Sequence, residues 1–262
     1  METRQGNLYD YPRYYDLVFG ADWKAEFDFL HECFELHVDG RVSRLFEPAC
    51  GTGRLMYRLA REGFDIVGLD LNEHAVEYCN RRLSSKGLTA ASSFVGDMSD
   101  FRLPAPVDAA FNMINSFRHL QTEAEATGHL NCVRDALRVG GVYVMGMHLI
   151  PEVGESGESE SWSARRGHLC VNTRLWRVGL DLHERQEWVR MRYEVFTPTK
   201  SFALEDEFPF RTYRQQQFHQ LVEEIDGLEI AETYDFLYRI DRPIDIGPET
   251  EDVVYVLKRT AL

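Results

Sequence analysis

The residues best placed to do chemistry are two glycines and three acids. Gly51 and Gly53, in "LFEPACGTGRL" (45–55), follow an apolar run and precede a helix-like segment. In that context a glycine turn can hold a ligand at the end of a strand. The turn lacks the Gly-Lys-Ser/Thr ending of a triphosphate-gripping loop. It also fails the G-x-G-x-x-G dinucleotide pattern, because Met56 stands where the third glycine belongs. What it has instead is acids: Glu47 just before the turn, Asp70 closing the next apolar run, and Asp97 closing the one after. Carboxylates accept hydrogen bonds from hydroxyls and amines, so Asp70 suits a ribose diol and Asp97 an adenine amino group, while Glu47 can face a positive charge. Three acids at successive strand ends describe an adenosine with a cation at its far end.

These residues need a frame that aligns strand ends. From Val42 the chain alternates short apolar runs with amphipathic segments, which predicts an α/β fold with a mainly parallel, doubly wound sheet. "RVSRLFEPA", "FDIVGLD", "ASSFVGD", "VDAAFNMI" and "VYVMGMHLI" read as five strands. The intervening helices bury Leu55, Met56 and Leu59, then Ala75, Val76, Cys79 and Leu83 behind an Asn72 cap. Thr122 and Glu125 form a capping box for a helix expected to run to Arg138 and to stop at Gly140-Gly141. Ahead of this core, the helix from Trp23 sets Phe27, Leu30, Phe34 and Val38 on one face.

After Pro151 the Gly/Ser/Glu-rich stretch 152–167 reads as a loop or linker that cannot pack a core. Three runs with partial period-two alternation follow, with breaks at Gly179-Leu180-Asp181 and Thr197-Pro198, and predict an inserted antiparallel meander. A helix with Phe218, Leu221, Val222 and Ile225 inward, capped by Thr212 with Gln215, then leads to two last strands. The expected divisions are 1–40, a helical lid; 41–150, the ligand-binding core; 151–211, the loop and meander; and 212–262, which completes a seven-stranded sheet.

The chain of 262 residues is 44% hydrophobic and 27% charged, which fits a globular domain rather than a disordered one. Its longest apolar runs fall well short of a bilayer span and its start has no signal-peptide core, so a cytoplasmic protein with no membrane partner is expected. The five cysteines are scattered singly, which predicts reduced thiols and no metal site. A formal net charge of −14 repels polyanions, so the expected partner is a small molecule and not nucleic acid.

Taken together, "LFEPACGTGRL", "VGLDLNEHAVEYCNRRL", "FVGDMSDF" and "DALRVGGVYVMGMHL" resemble the successive motifs of class I S-adenosylmethionine-dependent methyltransferases, closest to the small-molecule branch. The likeness covers most of 8–150 and, more weakly, 208–259. It implies a Rossmann-like methyltransferase fold, S-adenosylmethionine as cofactor, and Ala49, Gly51 and Gly53 in the turn beneath its methionine part. It further implies that Glu47 orders that turn, Asp70 holds the ribose, Leu71 packs on the adenine, and Asp97 and Met98 meet the adenine edge. The family pattern usually has Asp at Glu47 and Gly at Ala49. Ile114, Asn115 and Ser116 match the segment that faces the sulfonium, and "YPRYYDLVFGADW" resembles the lid, which brings Tyr14, Tyr15 and Trp23 to the methionine end or the acceptor.

Each of these residues also has a plain structural reading. Asn115 and Ser116 can simply shape a loop, and Tyr14, Tyr15 and Trp23 can be packing aromatics. His119 and His148 are candidate bases or ordinary hydrogen-bonded histidines, and Tyr14 is a further catalytic candidate. On the meander, Arg174, Trp176, Arg190, Arg192 and Tyr193 can line an acceptor pocket or face solvent. Methyl transfer to a small-molecule acceptor, with nitrogen favoured over a hydroxyl, is the leading expectation. A non-catalytic S-adenosylmethionine-binding regulator and a nicotinamide oxidoreductase are the alternatives.

Overall fold

The computed structural model describes residues 1–154 and 159–261. A strand β1 (Glu2–Gln5) and helices α1 (Pro12–Phe19) and α2 (Lys24–His37) precede the alternating core. The core comprises β2 (Arg44–Pro48), α3 (Met56–Arg61), β3 (Asp65–Asp70), α4 (Glu73–Ser85), β4 (Ala91–Val95), β5 (Val107–Asn112), α5 (Glu123–Ala136) and β6 (Leu137–His148). Then come β7 (Ser159–Arg166), β8 (Leu169–Asp181), β9 (Gln186–Phe196) and β10 (Ser201–Arg211), followed by α6 (Gln215–Glu223), β11 (Leu228–Tyr234) and β12 (Asp252–Arg259).

The seven-stranded sheet runs β11-β12-β6-β5-β2-β3-β4, antiparallel at its first two pairings and parallel at the other four. Because side chains alternate along a strand, neighbours serve different cores. Leu45, Val142 and Val144 pack with α2, α3 and α4, whereas Phe46, Tyr143 and Met145 pack with α5 and α6 on the other face. The order reverses between β2 and β5, and ligands of open α/β sheets bind in the crevice at such a point.

The remaining strands form a second sheet, β1-β10-β9-β8-β7, antiparallel except where β1 joins β10. Its buried face packs on α1 through Val171, Tyr193, Val195 and Leu204. Asp16 of α1 is 2% exposed and clasps three side chains: Arg82 and Tyr78 of α4, and Arg166 of β7. Burial opposes its ionisation, but Arg82 and Arg166 prevail and hold its carboxyl below the ordinary range.

Four expectations fail locally. Within the stretch 152–167, residues 159–166 form β7, with Ala164 buried and a left-handed Gly167 closing the hairpin to β8, while 155–158 lie outside the described residues. The fifth helix ends at Ala136, and Gly140 and Gly141 lie inside β6. An added Cβ there would come within 2.6 Å of Asp39 Oδ2 and of the Asp108 carbonyl respectively, so these glycines permit close strand contact rather than stop a helix. The β8–β9 turn falls after Asp181, whose Oδ1 accepts from the His183 and Glu184 N–H groups, and Gly179 marks a bulge. Arg214, not Thr212, precedes α6, and Gln217 accepts its N–H at 2.9 Å.

Candidate active site

The site grows from the turn after β2. Ala49, Gly51 and Gly53 all take left-handed backbone, with φ of 51°, 52° and 67°. Glycine adopts this region freely and alanine does not. Ala49→Gly is therefore expected to stabilise the protein by about 0.5–1 kcal/mol. Urea unfolding would show this as a raised midpoint at unchanged slope, and an unchanged or lowered midpoint would refute it.

Asp70, at the end of β3, fixes this turn. Its Oδ2 accepts the Gly51 N–H at 2.8 Å and its Oδ1 accepts the Asn72 N–H at 2.8 Å. Burial pushes its carboxyl above the ordinary range, and the two backbone bonds partly offset that. Glu47 lies deeper, 7% exposed. It accepts from the Met56 N–H at the start of α3, and its Oε2 has no hydrogen-bond partner. Burial drives its carboxyl well above the ordinary range, with Arg54 opposing.

Above the turn opens a cavity of about 860 Å³, roofed by the second sheet and by the segment leading into α1. At one end it is lined by Ala49, Gly51, Asp70, Leu71, Asp97 and Met98. Leu71 is 75% exposed, a large apolar side chain presented to the cavity. Asp97 Oδ1 accepts from both the N–H and the hydroxyl of Ser99, each at 2.8 Å. Tyr15 covers the turn, its ring 3.6 Å from where a Gly51 Cβ would stand; burial pushes its phenol up to about 12, so it stays a neutral donor.

The middle of the cavity holds Ile114, Asn115, Ser116, His119 and His148. Asn115 is left-handed and accepts the His148 N–H through Oδ1 at 3.0 Å, so its amide pins the end of β6. His119 Nε2 shares a 3.0 Å hydrogen bond with the Tyr9 hydroxyl, and its ring lies among Tyr9, Phe208 and Phe210. Burial, with Arg118 adding to it, lowers His119 to about 4, so it is neutral at physiological pH. At the far end, Arg118 and Arg177 both bond the buried Glu187, at 2.5 and 2.6 Å.

Several expected residues are not brought to this cavity. Tyr14 stacks on Tyr11 and meets Phe202 edge-on in the core beneath the second sheet. Trp23 packs on Phe27 and under the Arg58 guanidinium, 4.1 Å from its ring centroid. Tyr14 lies on the packed side of α1, and Trp23 stands just ahead of α2 as its N-cap residue. Glu47 and Gly53 do not line the cavity. On the meander, Trp176 is among the residues bordering the cavity; Arg190 and Arg192 pair with Glu207 and Glu205 across β10, Arg174 stacks over Trp176, and Tyr193 is buried in the core.

Sequence reasoning missed Tyr9, Asp206, Phe208 and Phe210, all of which line the cavity. Asp206 also holds the N-terminal segment, its Oδ2 accepting the Leu8 N–H at 3.0 Å. Their only signal was membership of an aromatic or alternating run. His129 was missed too: its Nδ1 donates to the Met98 carbonyl at 2.9 Å and its Nε2 accepts from the Tyr143 hydroxyl at 3.1 Å, which fixes the Asp97–Met98 loop from beneath.

The donor set fits an adenosine with a cationic tail and not a polyphosphate. The cradle is left-handed backbone open to the cavity, the free valences are carboxylate, and the cavity cations Arg118 and Arg177 are engaged with Glu187. Among the described residues no cluster of potential ligands could hold a metal ion, and no helix is long and apolar enough to cross a membrane.

Comparison with known proteins places this geometry. Residues 46–141 match a methyltransferase domain. The chain is 30% identical over 151 residues to the dTDP-3-amino-3,4,6-trideoxy-alpha-D-glucopyranose N,N-dimethyltransferase of Streptomyces venezuelae, a match covering 56% of this chain and 61% of that protein. The chain thus spans less than two thirds of that relative's length. It is 25% identical over 193 residues, 72% of this chain and 74% of the relative, to the dTDP-4-amino-2,3,4,6-tetradeoxy-D-glucose N,N-dimethyltransferase of Saccharopolyspora spinosa. In fold it is similar to the crystal structure of an S-adenosylmethionine-dependent methyltransferase from Clostridium acetobutylicum, with TM-score 0.78 at 17% identity over 97% of this chain and 100% of that one.

Proposed function

We propose that this chain, whose residues 46–141 match a methyltransferase domain, is an enzyme that transfers a methyl group from S-adenosylmethionine to an amine nitrogen of a small molecule. The observation that carries this reading is one cavity with a carboxylate-lined adenosine end at the β2 turn and an aromatic end under the second sheet. When bound, S-adenosylmethionine supplies an electrophilic methyl group on a positively charged sulfur. In this reading Asp70 takes the ribose hydroxyls, Leu71 and Met98 flank the adenine, and Asp97 accepts from its amine. Residues 1–40 act as the lid, 41–150 with 212–262 as the cofactor core, and 151–211 as the acceptor side.

The protein's contribution is alignment in a site that excludes water, worth about 7–11 kcal/mol when near-attack geometry is reached. Tyr15 closes the turn, and His119, kept neutral, offers a hydrogen bond without placing a cation beside the sulfonium. The two relatives named above are amino-sugar N,N-dimethyltransferases, and sugar-borne amines are therefore the first acceptors to try.

The test is titration calorimetry with S-adenosylmethionine, followed by mass spectrometry after incubation with nucleotide-linked amino sugars, simple primary amines and phenols. Addition of one or two methyl groups to an amine is expected. Transfer confined to phenols, or no saturable binding of S-adenosylmethionine, would overturn the reading.

A further inference from the structure

The sheet sets a second titratable pair into the cavity. His148 ends β6, Asp252 begins β12, and the antiparallel register places them directly opposite one another. Opposed residues of such a pair project to the same side. His148 Nδ1 lies 2.6 Å from Asp252 Oδ1. A carboxylate only accepts, so Nδ1 carries the hydrogen and the neutral ring keeps its lone pair on Nε2. The Phe236 ring, 5.2 Å away, packs against the imidazole, and the Asn115 amide holds the His148 backbone. Both members of the pair line the cavity and keep access to water, with 31% and 48% of their side chains exposed.

The chemistry needs such a group. Alkylamines are mostly ammonium ions at neutral pH, and an ammonium nitrogen has no lone pair to attack with. A first methylation leaves a secondary ammonium, so the same proton problem returns before a second. His119, buried and lowered to about 4, is a poor acceptor for that proton. Besides Asp252, the charged or titratable groups on the wall of the same cavity include Glu251 at the entry to β12 and Arg118 with His119 on the turn at 116–119.

We propose that His148 accepts the proton which the acceptor ammonium must lose before each methyl transfer, and that Asp252 is the positioning residue that presents Nε2 to it. The proposal rests on the amine-methylation reading above. In the step, the ammonium N–H bond breaks with its electron pair remaining on nitrogen, and the proton bonds to Nε2. The resulting imidazolium faces the Asp252 carboxylate and gives its proton to water from its exposed edge.

Two measurements test this. In protein labelled with ring-15N histidine and saturated with S-adenosylhomocysteine, nitrogen chemical shifts are expected to show neutral His148 as the Nδ1–H tautomer; the Nε2–H tautomer would overturn the proposal. With the amine that wild type methylates fastest, His148→Ala and Asp252→Asn are expected to bind S-adenosylhomocysteine within twofold of wild type. Both should convert monomethyl to dimethyl product at least about tenfold more slowly. Added imidazole should restore His148→Ala in proportion to its free-base concentration, a response that a purely structural role would not give. Wild-type turnover unchanged in both variants removes this proposal alone, whereas failure of wild type to methylate any amine removes it together with the reading beneath it.

Discussion

Asp70→Asn is expected to weaken binding of S-adenosylhomocysteine by about 100-fold, or about 2.7 kcal/mol, as read by titration calorimetry. The Asp70 carboxylate accepts the Gly51 and Asn72 N–H groups, one on each oxygen. An asparagine amide must turn its NH2 toward one of these donors, which leaves a buried N–H unpaired at a cost of about 1–3 kcal/mol. The ribose hydroxyls lose a charged acceptor at the same time. Stability carries a separate signature. Burial raises the folded Asp70 carboxyl above its unfolded value, so the protein loses stability as pH rises through that folded value. Asparagine cannot ionise, so the variant should lack this part of the slope in urea midpoints measured across the range. Equal affinity in wild type and variant would rule out Asp70 as the ribose acceptor.

Gly53→Ala is expected to cost about 2–5 kcal/mol of folding stability. The φ of 67° is disfavoured for alanine by about 1–2 kcal/mol. The new methyl would also stand 2.4 Å from Cys79 Sγ, in a region where Cys79 is fully buried. Overpacking of this kind typically adds about 1–3 kcal/mol. A double-mutant cycle separates the two causes: Cys79→Ala removes the sulfur, and Gly53→Ala in that background should cost only the backbone part. If the cost of Gly53→Ala is the same in both backgrounds, the close approach of the turn to α4 is not what demands glycine. Gly51, by contrast, has only the Tyr15 ring at 3.6 Å, so alanine there meets ordinary contact and mainly backbone strain.

Gly53 also shows what could be read before any coordinates. A glycine between a strand and a helix announces a tight turn, but whether the reason is φ, a ligand or a neighbouring side chain depends on Cys79, 26 residues away. The same holds for α1. Tyr14 and Tyr15 are adjacent and chemically equal in sequence, yet a helix points consecutive residues about 100° apart. Tyr15 therefore reaches the turn, and Tyr14 goes to the core with Tyr11 and Phe202.

The sequence by itself determined the alternating core, the turn and the acids Asp70 at the end of β3 and Asp97 two residues beyond β4, because each depends on local period and on residues a few positions apart. It gave no sign of β1 and read β7 as part of a loop, because the outward-facing residues of both carry little apolar alternation and the strands exist through pairing with β10 and β8. Only the tertiary structure decided which side chains share the cavity. Tyr9 meets His119, Asp206 meets Leu8, and His148 meets Asp252 across separations of 110, 198 and 104 residues. Such contacts are set by strand register and by the packing of one sheet over the end of another, and no local pattern in the chain encodes them.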